Sequence, residues 1–389
     1  MENKNEWKKV KLGEIVTITM GQSPKSEFYN LVGEGVPFLQ GNRTFGKKFP
    51  SFDTYTTKVT KIAKKNDVIM SVRAPIGDLN LATTDICLGR GVCSLRMNNG
   101  NYEFLFYLLK YYSKQLINNG NGTVFTSINR NEIYNLEINI PNNEFIQKKI
   151  SKILSDIDNK IELNNKINNN LEILIFLIYQ KIFLNNNFSQ RKLCKMEEYF
   201  NISIGKTPPR KNKECFSNNS NDNIWVSILD MKSSGIYIDK SSEYLTSEAI
   251  KKYNVKVIPK NTLLLSFKLT IGRIAITCQD RTTTNEAIAH FLSDKKGATE
   301  YLYCYLKNFN FNTLGSTSSI ATAINSKIIK EITFVIPEED ELNEFYNLVN
   351  PLFKKIRAFQ LENIKLTNLK NYLLPKLMNG EIDIEKIEL

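Results

Sequence analysis

The 389-residue chain holds one histidine, His290, and six cysteines, none of them in a Cys-x-x-Cys pair. The usual zinc frameworks need paired Cys and His ligands at fixed spacing, so this scarcity excludes them. Cys87, Cys93, Cys194, Cys215, Cys278 and Cys304 are scattered along the chain, and they are expected to be reduced core thiols. A single imidazole also starves most triad and acid/base chemistry. No apolar run reaches the roughly 18 residues of a membrane span, and the opening MENKNEWKKVKLGEI has no apolar core of a signal peptide. A cytoplasmic protein with no membrane contact is expected.

Signature loops are missing as well. The nearest approaches to a GxxxxGK[ST] phosphate loop, GKKF and GKTP, lack the glycine at the required distance before them. LGRGV, Leu88 to Val92, is the one glycine-rich candidate for a dinucleotide or methyl-donor turn, and it stands alone. The sole Pro-Pro lies in KTPPRK rather than in an Asn/Asp-Pro-Pro-Tyr stretch that would hold a flipped base. The acidic EIDIEK, Glu381 to Lys386, falls in a terminal tail and reads as a solvated end. No catalytic residue, no metal ligand and no cofactor bound by this chain are expected.

What is present is positive charge and a repeat. Formal charge is +12 and the isoelectric point about 9.2, which suits a polyanionic partner because each cation set on a phosphate releases counterions. KLGEIVTITMGQSP (Lys11 to Pro24) lies over KMEEYFNISIGKTP (Lys195 to Pro208), with five identities. KNDVIMSVRAPIGDLNLA (Lys65 to Ala82) matches KNTLLLSFKLTIGRIAIT (Lys260 to Thr277) at an offset of 195, and GTVFTSINRNEIYNLEINIP (Gly122 to Pro141) matches SSIATAINSKIIKEITFVIP (Ser318 to Pro337) at 196. Three blocks in one order, with extra length between them, mean a duplicated domain with variable loops. Short apolar stretches such as DVIMSV, TLLLSF and IGRIAIT predict strands, and YEFLFYLLKYYSKQL and TEYLYCYLKNF predict helices. Each copy is expected to be a mixed α/β globule.

After each closing Ile-Pro the period changes. Ile150, Ile153, Ile157, Ile161, Leu171, Ile175, Ile178 and Ile182 recur by threes and fours, and Leu342, Phe345, Val349, Leu352, Ile356, Phe359, Leu366, Leu369, Leu373 and Leu377 repeat the pattern. Two long helices result, paired antiparallel as a coiled coil with pseudo-twofold symmetry. The 195 offset sets Asn168 on Asn363, a polar pair that would specify register. Pro351 and Pro375 are expected to kink or end the second helix. The divisions are a first globule over 1–142, a central helix over 143–187, a second globule over 188–337, and a C-terminal helix and tail over 338–389.

Recognition residues are sought where the copies differ inside a retained frame. The Gly-to-Pro loop carries Ser23 in copy one and Lys206, Thr207, Arg210 and Lys211 in copy two. The next loop offers Gln40, Asn42 and Arg43 against Asp230 and Lys232; the third offers Arg73 against Lys268 and Arg273. Arg90 of LGRGV and Asn285, where copy two reads Asn-x-Ala-Ile, complete the set. Amides and guanidinium groups suit two-pronged reading of adenine and guanine, and small hydroxyls and cations suit phosphates.

In this order and twice over, KLGEIVTITMGQSP, VPFLQGN, SVRAPIG, INRNEIYNLEINIP, QKKISKILSDIDNKIELNNKI and the terminal LKNYLLPKLMNGEI resemble a specificity subunit of a type I restriction-modification system. The resemblance covers nearly the whole chain. It implies two target-recognition domains that each read half of a split double-stranded DNA target, joined by helices that set the gap. It also implies two adenine-methylating partner subunits using S-adenosylmethionine, and translocating nuclease subunits using ATP and magnesium. The alternatives are a fused DNA-modifying enzyme, or a coiled-coil adaptor without sequence-specific DNA binding.

Overall fold

A computed structural model describes residues 7–117, 127–184, 191–314 and 324–384. The first residues of the third repeated block in each copy, and the end of the acidic tail, lie outside them. The chain forms two compact units, Met1–Ile161 with Lys365–Leu389, and Glu162–Ile364. Each unit therefore takes one globule, part of the helix that follows it and part of the other long helix.

In the first unit, Trp7–Lys11 pairs antiparallel with Glu137–Pro141, so the start and the end of the globule are stitched together. A four-stranded antiparallel sheet runs in the order Val16–Met20, Val92–Met97, Val68–Ser71, Leu79–Leu81. A second, mixed sheet contains the parallel pair Val36–Leu39 and Ile86–Leu88. The helix Tyr102–Ile117 has Phe104 to Leu109 all buried. A helix apolar on every side must be covered on every side. This one packs on the antiparallel sheet and, through Tyr107, on the central helix: the Tyr107 hydroxyl donates to Asp158 at 2.8 Å.

The second unit repeats the plan. Leu193–Lys195 pairs with Thr333–Val335; Asn201–Ile204, Ile288–Leu292, Leu263–Ser266 and Ile274–Thr277 follow one another in the sheet; Asn223–Val226 and Thr282–Thr284 form the parallel pair. Helix Ala298–Asn308 answers Tyr102–Ile117. Asn129 and Asn325 cap the short helices Arg130–Tyr134 and Ser326–Lys330 with the same side-chain hydrogen bond to the third helical residue. Strands and helices fall where alternation and helical period put them, and the duplication is seen at the level of single caps.

The central helix spans Glu144–Tyr179 and continues as a π-turn over Gln180–Leu184; the C-terminal helix spans Glu339–Met378. Within the first unit Lys370 pairs with Asp158, and Ile150 and Leu154 share a core with Leu377. Within the second, Asn164 meets Asn363 and Tyr179 meets Phe345. In both units rising numbers on one helix meet falling numbers on the other, so the pairing is antiparallel. Each buried Leu, Ile or Phe of this seam contributes about 1.5–3 kcal/mol.

One expectation is narrowed and one needs correction. The C-terminal helix runs through Pro351 and Pro375 without ending at either. Pro351 is exposed, and buried Phe345, Val349, Phe353 and Ile356 around it share a core with Ile175 and Tyr179 of the partner helix. Asn363 takes Asn164 as its partner rather than Asn168: the Asn164 amide donates to Asn363 and to Glu362, both at 2.9 Å, and Asn363 donates to Asn165 at 3.0 Å. Counting along the repeat aligns equivalent positions, whereas antiparallel packing pairs opposite ones. The buried Oδ1 of Asn168 makes no hydrogen bond among the described residues.

All six cysteines are free, five of them buried. Among the described residues no helix is long and apolar enough to cross a membrane.

Candidate nucleic-acid interface

In the first unit the loops are held by their own backbones. Gly21 N donates to Val92 O at 3.0 Å, Gly89 N to Leu39 O at 2.8 Å, Gly91 N to Gln40 O at 3.0 Å, and Val72 N to Gly91 O at 2.9 Å. A Cβ on Gly21 would stand 2.1 Å from the Gly89 carbonyl oxygen, and one on Gly91 2.4 Å from that of Gln40. LGRGV is thus glycine-rich because chain passes against chain there.

This frame brings together Ser23, Gln40 and Arg90. Ser23 Oγ donates to Gln40 Oε1 at 2.9 Å and accepts from Arg90 N at 3.1 Å. The Val72–Gly91 bond adds Arg73 beside them. The Arg73 and Arg90 side chains are exposed and have no ion-pair partner among the described residues. Asn42 and Arg43 are differently placed. Asn42 donates to Asp78 at 2.6 Å, and Arg43 grips Asp53 with both prongs at 2.8 and 2.7 Å. That grip raises the Arg43 pKa and lowers that of Asp53. The loop behind them is pinned by buried Asn80, which accepts from Gly46 N at 3.0 Å and donates to Gly46 O at 2.9 Å.

The second unit uses the same frame with other side chains. Gly205 N donates to Ile288 O at 3.1 Å, Lys206 N to Thr284 O at 2.9 Å, and Phe267 N to Ala287 O at 2.9 Å. These bonds gather Lys206, Thr207, Lys268 and Asn285. Thr207 donates to Glu286, and Asn285 Oδ1 accepts from Ala287 N at 3.1 Å. Lys206, Lys211 and Lys232 are exposed with no carboxylate partner among the described residues, and Lys268 Nζ sits 5.6 Å above the Phe267 ring.

The stretch with Asp230 and Lys232 is a helix, Ile228–Ser233, where the sequence suggested a loop. Ser227 and Asp230 form a reciprocal capping box, and this nucleates the turn. Asp230 is buried: its carboxylate accepts from Ser227 and, at 2.8 Å, from Ser242 N. Arg210 lies over Phe216 and Trp225 at 4.3 and 4.5 Å and pairs with Glu243 at 2.9 and 2.8 Å. Arg273 Nη1 donates to Ile228 O at 2.6 Å, which ties the third loop to this helix.

The third loop is one device built twice. Ser71 Oγ donates to Pro75 O at 2.7 Å and accepts from Asp78 N at 3.0 Å; Ser266 Oγ donates to Thr270 O at 2.6 Å and accepts from Arg273 N at 3.0 Å. In copy two, Thr270 N also donates to Lys268 O at 2.6 Å, and Leu269 between them has φ 61°. This is a γ-turn in left-handed backbone, a region that costs a residue with a Cβ about 1–2 kcal/mol. Leu269 is 99% exposed. Its signal in the sequence is an apolar side chain at the tip of a hairpin, where polar residues are the rule.

His290 stands behind the interface. It is buried between Ser203 Oγ, 3.1 Å from Nδ1, and Thr284 Oγ1, 2.7 Å from Nε2. Burial, helped by the charge of Lys256, lowers its pKa to about 3, so it is a neutral hydrogen-bonding group of the sheet.

Two mixed α/β globules each present a loop frame with exposed cations, and each is followed in the chain by a long helix. A family model described as "Type I restriction modification DNA specificity domain" matches residues 4–173 and again 191–368, and the chain belongs to that family of specificity subunits. Among relatives, the HindI type I restriction enzyme specificity subunit of Haemophilus influenzae is 23% identical over 97% of this chain and 100% of its own length. The MjaIX specificity subunit of Methanocaldococcus jannaschii is 22% identical over 98% of this chain and 95% of its own. A protein of the same archaeon, provisionally named the MjaX specificity subunit, is 40% identical over 171 residues; the match spans 43% of this chain and 40% of that protein. The crystal structure of a type I restriction-modification S subunit from M. genitalium shares the fold, with a TM-score of 0.60 and 19% identity over 97% of each chain.

Proposed function

We propose that this chain is the non-catalytic, address-reading subunit of a cytoplasmic type I restriction-modification complex. Each globule reads one half of a bipartite double-stranded DNA target, and the paired helices set the gap and bind two adenine-methylating subunits. S-adenosylmethionine belongs to those partners, and ATP and magnesium to the restriction translocase subunits of the full complex; this chain supplies neither catalytic group nor cofactor site. The observation that carries the reading is the twice-built loop frame: the same backbone hydrogen bonds hold Ser23, Gln40, Arg73 and Arg90 in one copy and Lys206, Thr207, Lys268 and Asn285 in the other. A retained frame with exchanged side chains is what two readers of different short sequences require. Exposed cations around it, with no ion-pair partner among the described residues, suit phosphate contact.

The test is a map of methylated adenines across a host genome, with this gene present and deleted and the candidate methyltransferase subunit kept constant. Loss of a gapped two-part motif on deletion is the expected result. An unchanged map would instead favour an adaptor.

A further inference from the structure

We infer that Leu269 makes an apolar contact with the 5-methyl group of a thymine in the half-site read by the second copy. The inference rests on the reading above and adds to it a residue, a base and a group on that base. Leu269 is 99% exposed and held in left-handed backbone at the tip of a γ-turn. Neither property helps the chain fold, because the side chain buries nothing and the backbone is strained. An observed outlier of this kind points to use at a site. The turn is also rigid: fully buried Ser266 closes it from below through Thr270 O and Arg273 N. A large apolar side chain is therefore presented at a fixed place.

The surroundings select nucleic acid over protein as the occupant. Lys268 precedes Leu269, and the Arg273–Ile228 bond brings in the short helix that carries exposed Lys232 and Leu229, the latter 68% exposed. One turn and one short helix fall well below the roughly 800 Å² that each partner of a stable protein complex buries. Cations flanking a small apolar tip match a groove, where phosphates line the rim and one base carries a hydrocarbon group. Only thymine presents a methyl group on the major-groove edge, and the minor groove presents none. In the first copy Ala74 takes the corresponding place, 195 residues earlier, between Arg73 and Pro75. The longer apolar side chain thus belongs to one copy and helps make the two readers different.

The test uses the full-length chain in the complex it forms, with the gapped motif taken from the methylation map. Duplexes carry deoxyuridine in place of each thymine of the second half-site in turn, which removes only the methyl group. One such replacement should weaken binding of the unaltered protein about four-fold, the worth of one buried methyl-sized group. Leu269→Ala should bind the thymine duplex more weakly by a similar factor and be indifferent to the same deoxyuridine. Its thermal unfolding should be unchanged or raised, since an exposed strained side chain is lost; a lowered midpoint would assign the effect to folding and overturn the contact. A second half-site without thymine, or equal deoxyuridine sensitivity in both proteins, would also overturn it while leaving the reading of bipartite DNA intact. Absence of any gapped motif would overturn both.

Discussion

Asn164 donates its side-chain amide to Asn363 at 2.9 Å, and Asn164 is fully buried. Within the second unit this pair joins the two long helices with a polar bond inside an otherwise apolar seam, the arrangement that penalises slipped registers. Asn363→Ala leaves part of a buried amide without its acceptor, so unfolding in urea should come at lower denaturant, by about 1–3 kcal/mol. Replacing both Asn164 and Asn363 by leucine should recover much of that loss, and a double-mutant cycle should show coupling of at least about 0.5 kcal/mol. Additive effects would mean that the two amides do not act as a pair.

The candidate cations separate into two groups by what they already touch. Arg210 is stacked on Phe216 and Trp225 and paired with Glu243. Arg210→Ala should therefore lower stability by about 1–2 kcal/mol, most of it from stacking because the ion pair is half in water. Arg73 has no ion-pair partner among the described residues. Arg73→Ala should leave unfolding unchanged, weaken DNA binding, and reduce the slope of log affinity against log salt by about 1 if the lost contact is a phosphate. Unaltered affinity and slope would remove Arg73 from the interface.

Much of the fold was legible in the residues. Strand alternation, the helix period and the repeat offsets locate the sheets and both long helices, because each of these is a local signal. The register of the helix pair was not legible. Asn168 and Asn363 are equivalent in the repeat, but facing residues are decided by packing against Tyr107, Ile150 and Phe345, which no local pattern encodes. The candidate site was legible as loops and not as atoms. Asp230 and Arg210 look like free charges in sequence, yet one caps a helix and the other lies over two rings and pairs with Glu243. Leu269 was passed over because its exposure depends on a turn closed by Ser266.

Acid should weaken the second unit through His290. Its folded pKa, about 3, lies below its ordinary 6.5, so between those values the unfolded chain binds a proton that the native chain does not. Stability is then fully present above pH 6.5 and falls as the pH drops below it, by at most about 1.4 kcal/mol per pH unit from this group. His290→Gln should flatten the urea-midpoint profile between pH 7 and 5, whatever it does to the midpoint itself. Parallel profiles for the two proteins would show that His290 is not the group responsible.

Under the proposed reading, the gap between half-sites is set jointly by two segments. Ile146, Ile150 and Leu154 of the central helix belong to the core of the first unit, while Ile175, Tyr179 and Ile182 belong to that of the second; the C-terminal helix likewise gives Phe345 and Val349 to one core and Leu377 to the other. A deletion in one helix alone sets its length against the other's and should cost stability without a clean change in spacing. Matched deletions of about seven residues, one around Asn164 and one around Asn363, preserve the apolar period. They shorten each helix by about 10 Å at ~1.5 Å per residue, equal to about three base pairs at ~3.4 Å each. The methylated motif should then keep both half-sites and lose about three base pairs between them. If the half-sites changed while the gap stayed fixed, the helices would not be the ruler, and spacing would have to be set by the globules.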